Sequence, residues 1–312
     1  MTSRICLLAA VAVSLAADRP GIPLGLDAYL PVPEDNPLTK EKAALGRELF
    51  FETRLSRDGS LSCATCHDPK RAFTDGRPVA IGVFGRKGTR RAPTLINRAY
   101  GKAFFWDGRN ATLEEQVVQP ILNPAEMDLP LDEAVARLQP HYPGLTTRTL
   151  SHALASYVRT ILSGDSPFDR YVAGDREALS EDARLGLRIF RGKGNCTSCH
   201  LGPNLTDERF HNTGVGYSDE RFADLGRALV SKLPEDEGAF KTPTLREIAR
   251  TAPYMHDGTL ATLDDVVEEY DRGGKRNPRL DPEIRPLHLT PEEKRALVVF
   301  LRALSGRVRE GM

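Results

Sequence analysis

The chain has 312 residues, enough for two compact domains that each bury a core. Lysine plus arginine totals 43 and aspartate plus glutamate totals 43, so no net charge draws it to nucleic acid or to an anionic membrane surface. Any partner must be recognised at a local site.

The first residues carry one cation, then the short apolar run ICLLAAVAVSLAA with small residues at Ser14 and Ala16, which is the pattern of a cleaved export signal over residues 1–17. The run is too short to span a bilayer comfortably, although an uncleaved anchor is the alternative. A lipoprotein reading of Cys6 is weaker, because the preceding TSRI is not apolar. Cleavage predicts a periplasmic protein with no membrane span, and it leaves Cys63, Cys66, Cys196 and Cys199.

Next along the chain, LTKEKAALGRELFF has Ser/Thr-type start chemistry and spaced apolar residues, and predicts a helix before the first cysteine pair. LSEDARLGLRIF predicts a second helix before the other pair. Between them the polar stretch SGDSPFDRYVAGDREALSED reads as a connection, with a domain boundary near residue 175. The expected class is mainly α with long loops.

Each cysteine pair is followed at once by histidine, giving CATCH (Cys63, Cys66, His67) and CTSCH (Cys196, Cys199, His200). In c-type haem attachment two thiols add to the porphyrin vinyl groups and the next residue offers its imidazole to the iron. Disulfide chemistry does not need that histidine. A zinc site gathers its ligands from compact knuckles, whereas these pairs begin 133 residues apart. A thioredoxin-like centre needs a βαβ pattern, and none is visible. Two covalently bound haem c groups are therefore expected.

The two halves repeat. LGRELF at 45 to 50 aligns with LGLRIF at 185 to 190, and APTL at 92 to 95 with TPTL at 242 to 245. In both halves Asp-Gly begins fourteen residues after that proline, at Asp107 and Asp257, with Thr-Leu following at Thr112 and Thr262. This predicts two cytochrome c-like helical domains, residues 18–174 and 175–312, one haem in each. The copies diverge at Trp106, opposite His256, and at Gln116, an insertion in the first half. Tyr270 falls opposite Pro120 or Ile121, which offer iron no ligand, whereas a phenolate binds ferric iron. One haem would be open and the other capped; a packed helix-end aromatic is the alternative for Tyr270.

From residue 37 to residue 305 the chain resembles the bacterial di-haem cytochrome c peroxidases and their relative MauG, through RLSRDGSLSCATCHDP, FFWDGRNATLEEQVVQPILNPAEM, GNCTSCHLGP and TPTLREIARTAPYMHDGTLATLDDVVEEY, in the family's order. The resemblance implies a peroxide site at the first haem, an electron-transfer haem at the second, and Trp106 as the relay between them. It places distal-pocket roles on Gln116 and Glu126, the glutamate moving a proton to the leaving oxygen of peroxide.

This sequence also departs from the histidine-gated members. The loop that carries a distal histidine there reads AIGVFG here, with Val83 in its place, and the axial methionine of the second haem is replaced by Tyr270, with Met255 in reserve. Both departures resemble MauG. The family's interdomain calcium would fall on the carbonyls of Thr251 and Pro253, but its asparagine is replaced by Arg91, a donor that cannot ligate a cation. Arg91 donating to those carbonyls in place of calcium is the expectation.

The implied activity is reduction of hydrogen peroxide by electrons from a periplasmic donor such as a small cytochrome c. A MauG-like oxidase of a partner protein or organic substrate is the rival, and a non-enzymatic electron carrier or haem sensor is a third reading. The resemblance also allows a homodimer.

Overall fold

The structure, a computed structural model, describes residues 20–312; the expected export segment lies outside the described residues. In the first half the helices are α1 (Lys40–Phe50), α2 (Cys63–Cys66), α3 (Leu113–Gln116), α4 (Gln119–Leu122), α5 (Leu131–Leu138) and α6 (Thr147–Arg159), followed by α7 (Pro167–Val172). The second half holds α8 (Glu181–Arg191), α9 (Ala228–Ser231), α10 (Leu263–Asp271) and α11 (Pro291–Arg302). Among the described residues, long loops and three two-stranded ladders complete the mainly helical fold.

The predicted helices start where their sequences provide caps. Thr39 accepts from the Lys42 amide at the head of α1, and Ser180 from the Ala183 amide at the head of α8. Each helix then buries one face. Leu49 and Phe50 of α1 join Leu150, Leu154 and Tyr157 of α6 in one core, while Leu187 and Phe190 of α8 join Leu297, Phe300 and Leu301 of α11 in another.

The repeat is physical as well as sequential. Gly46 lets α1 approach α6 so closely that a Cβ there would sit 1.9 Å from the Ala153 carbonyl oxygen; at Gly186 it would sit 2.0 Å from that of Ala296. The glycine of each LG pair thus sets the spacing of its helix pair. Equivalent isolated bridges also recur, Phe104 with Asn110 and Tyr254 with Leu260.

The stretch expected as a polar connection is instead a built element. Ser166 caps α7, Pro167 opens it, and Asp169 is buried in an ion pair with Arg246 at 2.5 Å. Composition hid this, because the partner that neutralises Asp169 lies far along the chain. The chain end also returns to the first half, where Arg307–Arg309 pairs antiparallel with Leu162–Gly164.

Candidate active site

Both Cys-x-x-Cys-His segments fold into a single tight turn. The His67 amide donates to the Cys63 carbonyl at 2.9 Å, and the His200 amide to that of Cys196 at the same distance. Each imidazole then meets a backbone oxygen through Nδ1: His67 to Phe73 and His200 to Leu205, both at 3.0 Å. A carbonyl only accepts, so Nδ1 carries the proton and Nε2 keeps its lone pair. Burial lowers the proton affinity of both rings, which favours this neutral, ligating form.

The thiols fit covalent attachment better than thiolate chemistry. Burial pushes Cys63, Cys66 and Cys196 up to about 12, opposite to the depressed values of reactive dithiols. Among the described residues, the one metal-sized group of histidine, cysteine and carboxylate is Cys199, Asp207 and His211, which takes a single cysteine from one pair. A shared four-ligand zinc centre does not form from this arrangement. Two thiols, a histidine with a free lone pair and a largely apolar cavity suit haem c.

That cavity, about 600 Å³, runs between the halves and touches Cys66, His67, Cys196, Cys199 and His200. A smaller one of about 60 Å³ adjoins the first motif and reaches Cys63, Gln116 and Glu126. Trp106, Thr251 and Tyr270 line the larger cavity as well, whereas Pro253 lines neither.

On the first side, Glu126 is half-buried, accepts from the Asn123 side-chain amide at 2.7 Å, and has its proton affinity raised chiefly by desolvation. Gln116 closes α3, and Pro120 explains why the helix stops: without an N–H it cannot bond to the Gln116 carbonyl, and the chain restarts as α4. The AIGVFG loop lies against this segment, since the Val83 amide donates to the Glu126 carbonyl at 2.8 Å. Ala80, Ile81 and Gly82 of that loop line the smaller cavity, whereas buried Val83 does not. The loop presents no ligating side chain there.

On the second side no proline interrupts α10, which runs unbroken to Asp271 and carries Tyr270 to the cavity wall. Burial pushes the Tyr270 phenol well above its ordinary range, so ionisation there requires a nearby positive charge. Met255 also lines the cavity. His256 is buried, stacked on Phe240 with ring centroids 3.5 Å apart, and lowered to about 4 by burial.

Between the two sides, Trp106 Nε1 donates to the Arg91 carbonyl at 3.0 Å. Arg91 binds the second half twice, its amide donating to the His256 carbonyl at 2.9 Å and its Nη2 to the Thr251 carbonyl at 2.5 Å. Among the described residues no hydrogen bond joins Arg91 to Pro253, and Arg91 Nε is buried without a partner. The guanidinium thus meets one of the two expected carbonyls. Arg90 pairs with both Asp107 and Asp224 at 2.7 Å, adding a second bridge between the halves.

Two positioning residues have a sequence signal that reading by composition misses. Thr94 Oγ1 donates to the Ala72 carbonyl at 2.7 Å and Thr244 Oγ1 to the Asn204 carbonyl at 2.6 Å, each one residue before the carbonyl that holds the histidine. The repeated Pro-Thr-Leu motif therefore braces both imidazoles. Arg109, on the cavity wall, contacts both carboxylate oxygens of Asp107 at 3.0 and 3.1 Å.

A family model described as di-haem cytochrome c peroxidase matches residues 40–177. The chain is 42% identical over 292 residues to the methylamine utilization protein MauG of Methylorubrum extorquens, covering 89% of this chain and 82% of that one. It is 33% identical over 322 residues to cytochrome c551 peroxidase of Nitrosomonas europaea, covering 98% and 93%. Among solved structures, a MauG-like protein associated with microbial copper homeostasis matches with a TM-score of 0.83 at 33% identity, covering 90% and 95%.

Proposed function

From this chain's membership of the di-haem cytochrome c peroxidase and MauG family of enzymes, we propose that it reduces hydrogen peroxide at the His67 side of the cavity with electrons from a small periplasmic donor such as a cytochrome c. The observation that carries this reading is Glu126, a half-buried carboxyl with raised proton affinity on the cavity wall that also holds Cys63, Cys66 and His67. Two haem c groups, bound by Cys63, Cys66 and His67 and by Cys196, Cys199, His200 and Tyr270, would supply the iron that binds peroxide and stores electrons.

The side chains do the rest. Glu126 takes the proton of the bound peroxide oxygen and returns it to the leaving oxygen, while Asn123 holds the carboxylate for that transfer. Gln116 orients peroxide from the same wall. Val83 leaves the first side free of a side-chain ligand. Trp106, fixed by its bond to the Arg91 carbonyl, carries electrons between the two sides. Arg91 takes the place of an interdomain calcium.

The division into an N-terminal unit ending near residue 174 and a C-terminal unit from 175, and export by residues 1–17, belong to the same proposal. Among the described residues no helix is long and apolar enough to cross a membrane.

Tyr270 favours a second reading, a MauG-like oxidase that takes electrons from a partner protein or organic substrate. An anionic phenolate stabilises oxidised iron more than a thioether does. Steady-state assays separate the two: rapid peroxide consumption with reduced small cytochrome c supports the peroxidase, and peroxide-dependent oxidation of another substrate with cytochrome c inert supports the oxidase.

A further inference from the structure

The buried aromatic rings of the first half form a line. His67 is bonded through Nδ1 to the Phe73 carbonyl; the Phe73 ring centroid lies 6.2 Å from that of Phe50, and Phe50 lies 5.1 Å from Tyr157. All three rings are buried, and Phe50 also lines the smaller cavity beside Cys63. At the far end the Tyr157 hydroxyl donates to the Glu310 carboxylate. The Glu310 side chain is 29% exposed and lies 3.4 Å from Arg47. The line begins at an iron-ligating imidazole and ends at solvent.

The second half keeps the rings but not the chemistry. Phe300 occupies the place of Tyr157 there, packed over Gly186 as Tyr157 is over Gly46, with its ring 5.1 Å from Phe190. The helix pair therefore packs without a hydroxyl. Nor is the Tyr157–Glu310 bond needed to hold the chain end, which the Arg307–Arg309 ladder and the bond from the Gly311 amide to Thr160 at 2.9 Å already fix.

A buried phenol gives up an electron readily only if its proton leaves too, because the radical cation would be an unpaired charge in an apolar interior. Burial, and then donation to Glu310, push the Tyr157 phenol upward, so it does not ionise on its own. Glu310 supplies a proton acceptor in place.

We propose that Tyr157 and Glu310 form a proton-coupled one-electron redox site that carries oxidising equivalents from the His67 side of the enzyme to the surface beside Glu310. The proposal rests on the peroxidase reading above. Hydrogen peroxide, reduced to water at the His67 centre, is the oxidant. Tyr157 passes one electron to that centre and its phenolic proton to Glu310, leaving a neutral tyrosyl radical and a carboxylic acid. At the surface a small phenol or hydroquinone gives one electron to the tyrosyl radical and its proton to solvent, becoming a neutral radical, while Glu310 returns its proton to Tyr157; two such turns, with two protons taken up from solvent, reduce one peroxide to two waters.

The test is electron paramagnetic resonance of the freeze-quenched holoenzyme after peroxide without donor, on protein made with ordinary and ring-deuterated tyrosine. The wild type gives a radical whose splitting collapses on deuteration. Tyr157→Phe, a residue its counterpart position already accommodates, loses that signal while the haem absorption still responds to peroxide. Glu310→Gln slows radical formation by about 100-fold, the lower bound for removing a positioned proton acceptor. A deuterium-sensitive signal unchanged in Tyr157→Phe, or no such signal although the haem responds, overturns the proposal. A haem that ignores peroxide in the wild type overturns the peroxidase reading and this site with it.

Discussion

The indole nitrogen of Trp106 donates to the carbonyl oxygen of Arg91 at 3.0 Å, so the aromatic between the two halves hangs from the residue whose guanidinium reaches across to Thr251. The position of Trp106 and the docking of the halves are therefore coupled through one residue, by its carbonyl and its guanidinium.

Replacing Arg91 with alanine strands the buried Thr251 carbonyl, which costs about 1–3 kcal/mol for one unsatisfied group. Denaturant titration of the holoenzyme measures this. With Arg91 in the role proposed for it in place of calcium, dialysis of the wild type against a chelator is expected to leave both its stability and its turnover unchanged. Stoichiometric calcium by metal analysis would sink the assignment.

Glu126→Gln keeps the shape of the pocket and removes the proton carrier, so kcat/KM for peroxide falls by about 100- to 10,000-fold with haem content unaltered. The pH profile carries the same information. Burial raises the Glu126 proton affinity, and the base form is required, so activity is full at high pH and is lost as pH falls through a value above the ordinary carboxylate range. An acidic limb at or below that range contradicts the role.

Tyr270→Phe preserves the ring and deletes the oxygen. Electron paramagnetic resonance of the as-isolated enzyme is expected to show one high-spin and one low-spin ferric centre, with only the low-spin signal altered by the substitution. Tyr270→Met restores a six-coordinate second centre at a higher reduction potential. If both signals survive Tyr270→Phe unchanged, Tyr270 is a packing residue.

Gly46→Ala places a methyl 1.9 Å from the Ala153 oxygen, forcing α1 and α6 apart at a cost of about 1–3 kcal/mol. Gly186→Ala is expected to do the same for α8 and α11. Thermal melts of the two variants compare the halves directly.

Thr94→Val removes the donor to the Ala72 carbonyl and loosens the neighbouring Phe73 carbonyl that orients His67. The expected result is normal haem incorporation with an altered absorption spectrum of the first centre and, by analogy with other outer-shell changes, roughly 10-fold slower peroxide turnover. Thr244→Val shifts the second centre instead, through Asn204 and Leu205.

The sequence by itself determined the two Cys-x-x-Cys-His turns, the helices ahead of them and the doubling of the unit. Each of these is local: the turn closes over four residues, and the helices begin at their own Thr39 and Ser180 caps. The difference between the halves was legible for the same reason, since Pro120 ends a helix that Tyr270 is free to extend. Tertiary structure decided what local chemistry cannot. Asp169 is buried because Arg246 meets it, Arg91 reaches one carbonyl rather than two, and the Tyr157 hydroxyl finds Glu310 only because the chain end returns to the first half. Burial and charge pairing are properties of surfaces brought together over long chain separations, and these separations are where the first and second centres acquire their different surroundings.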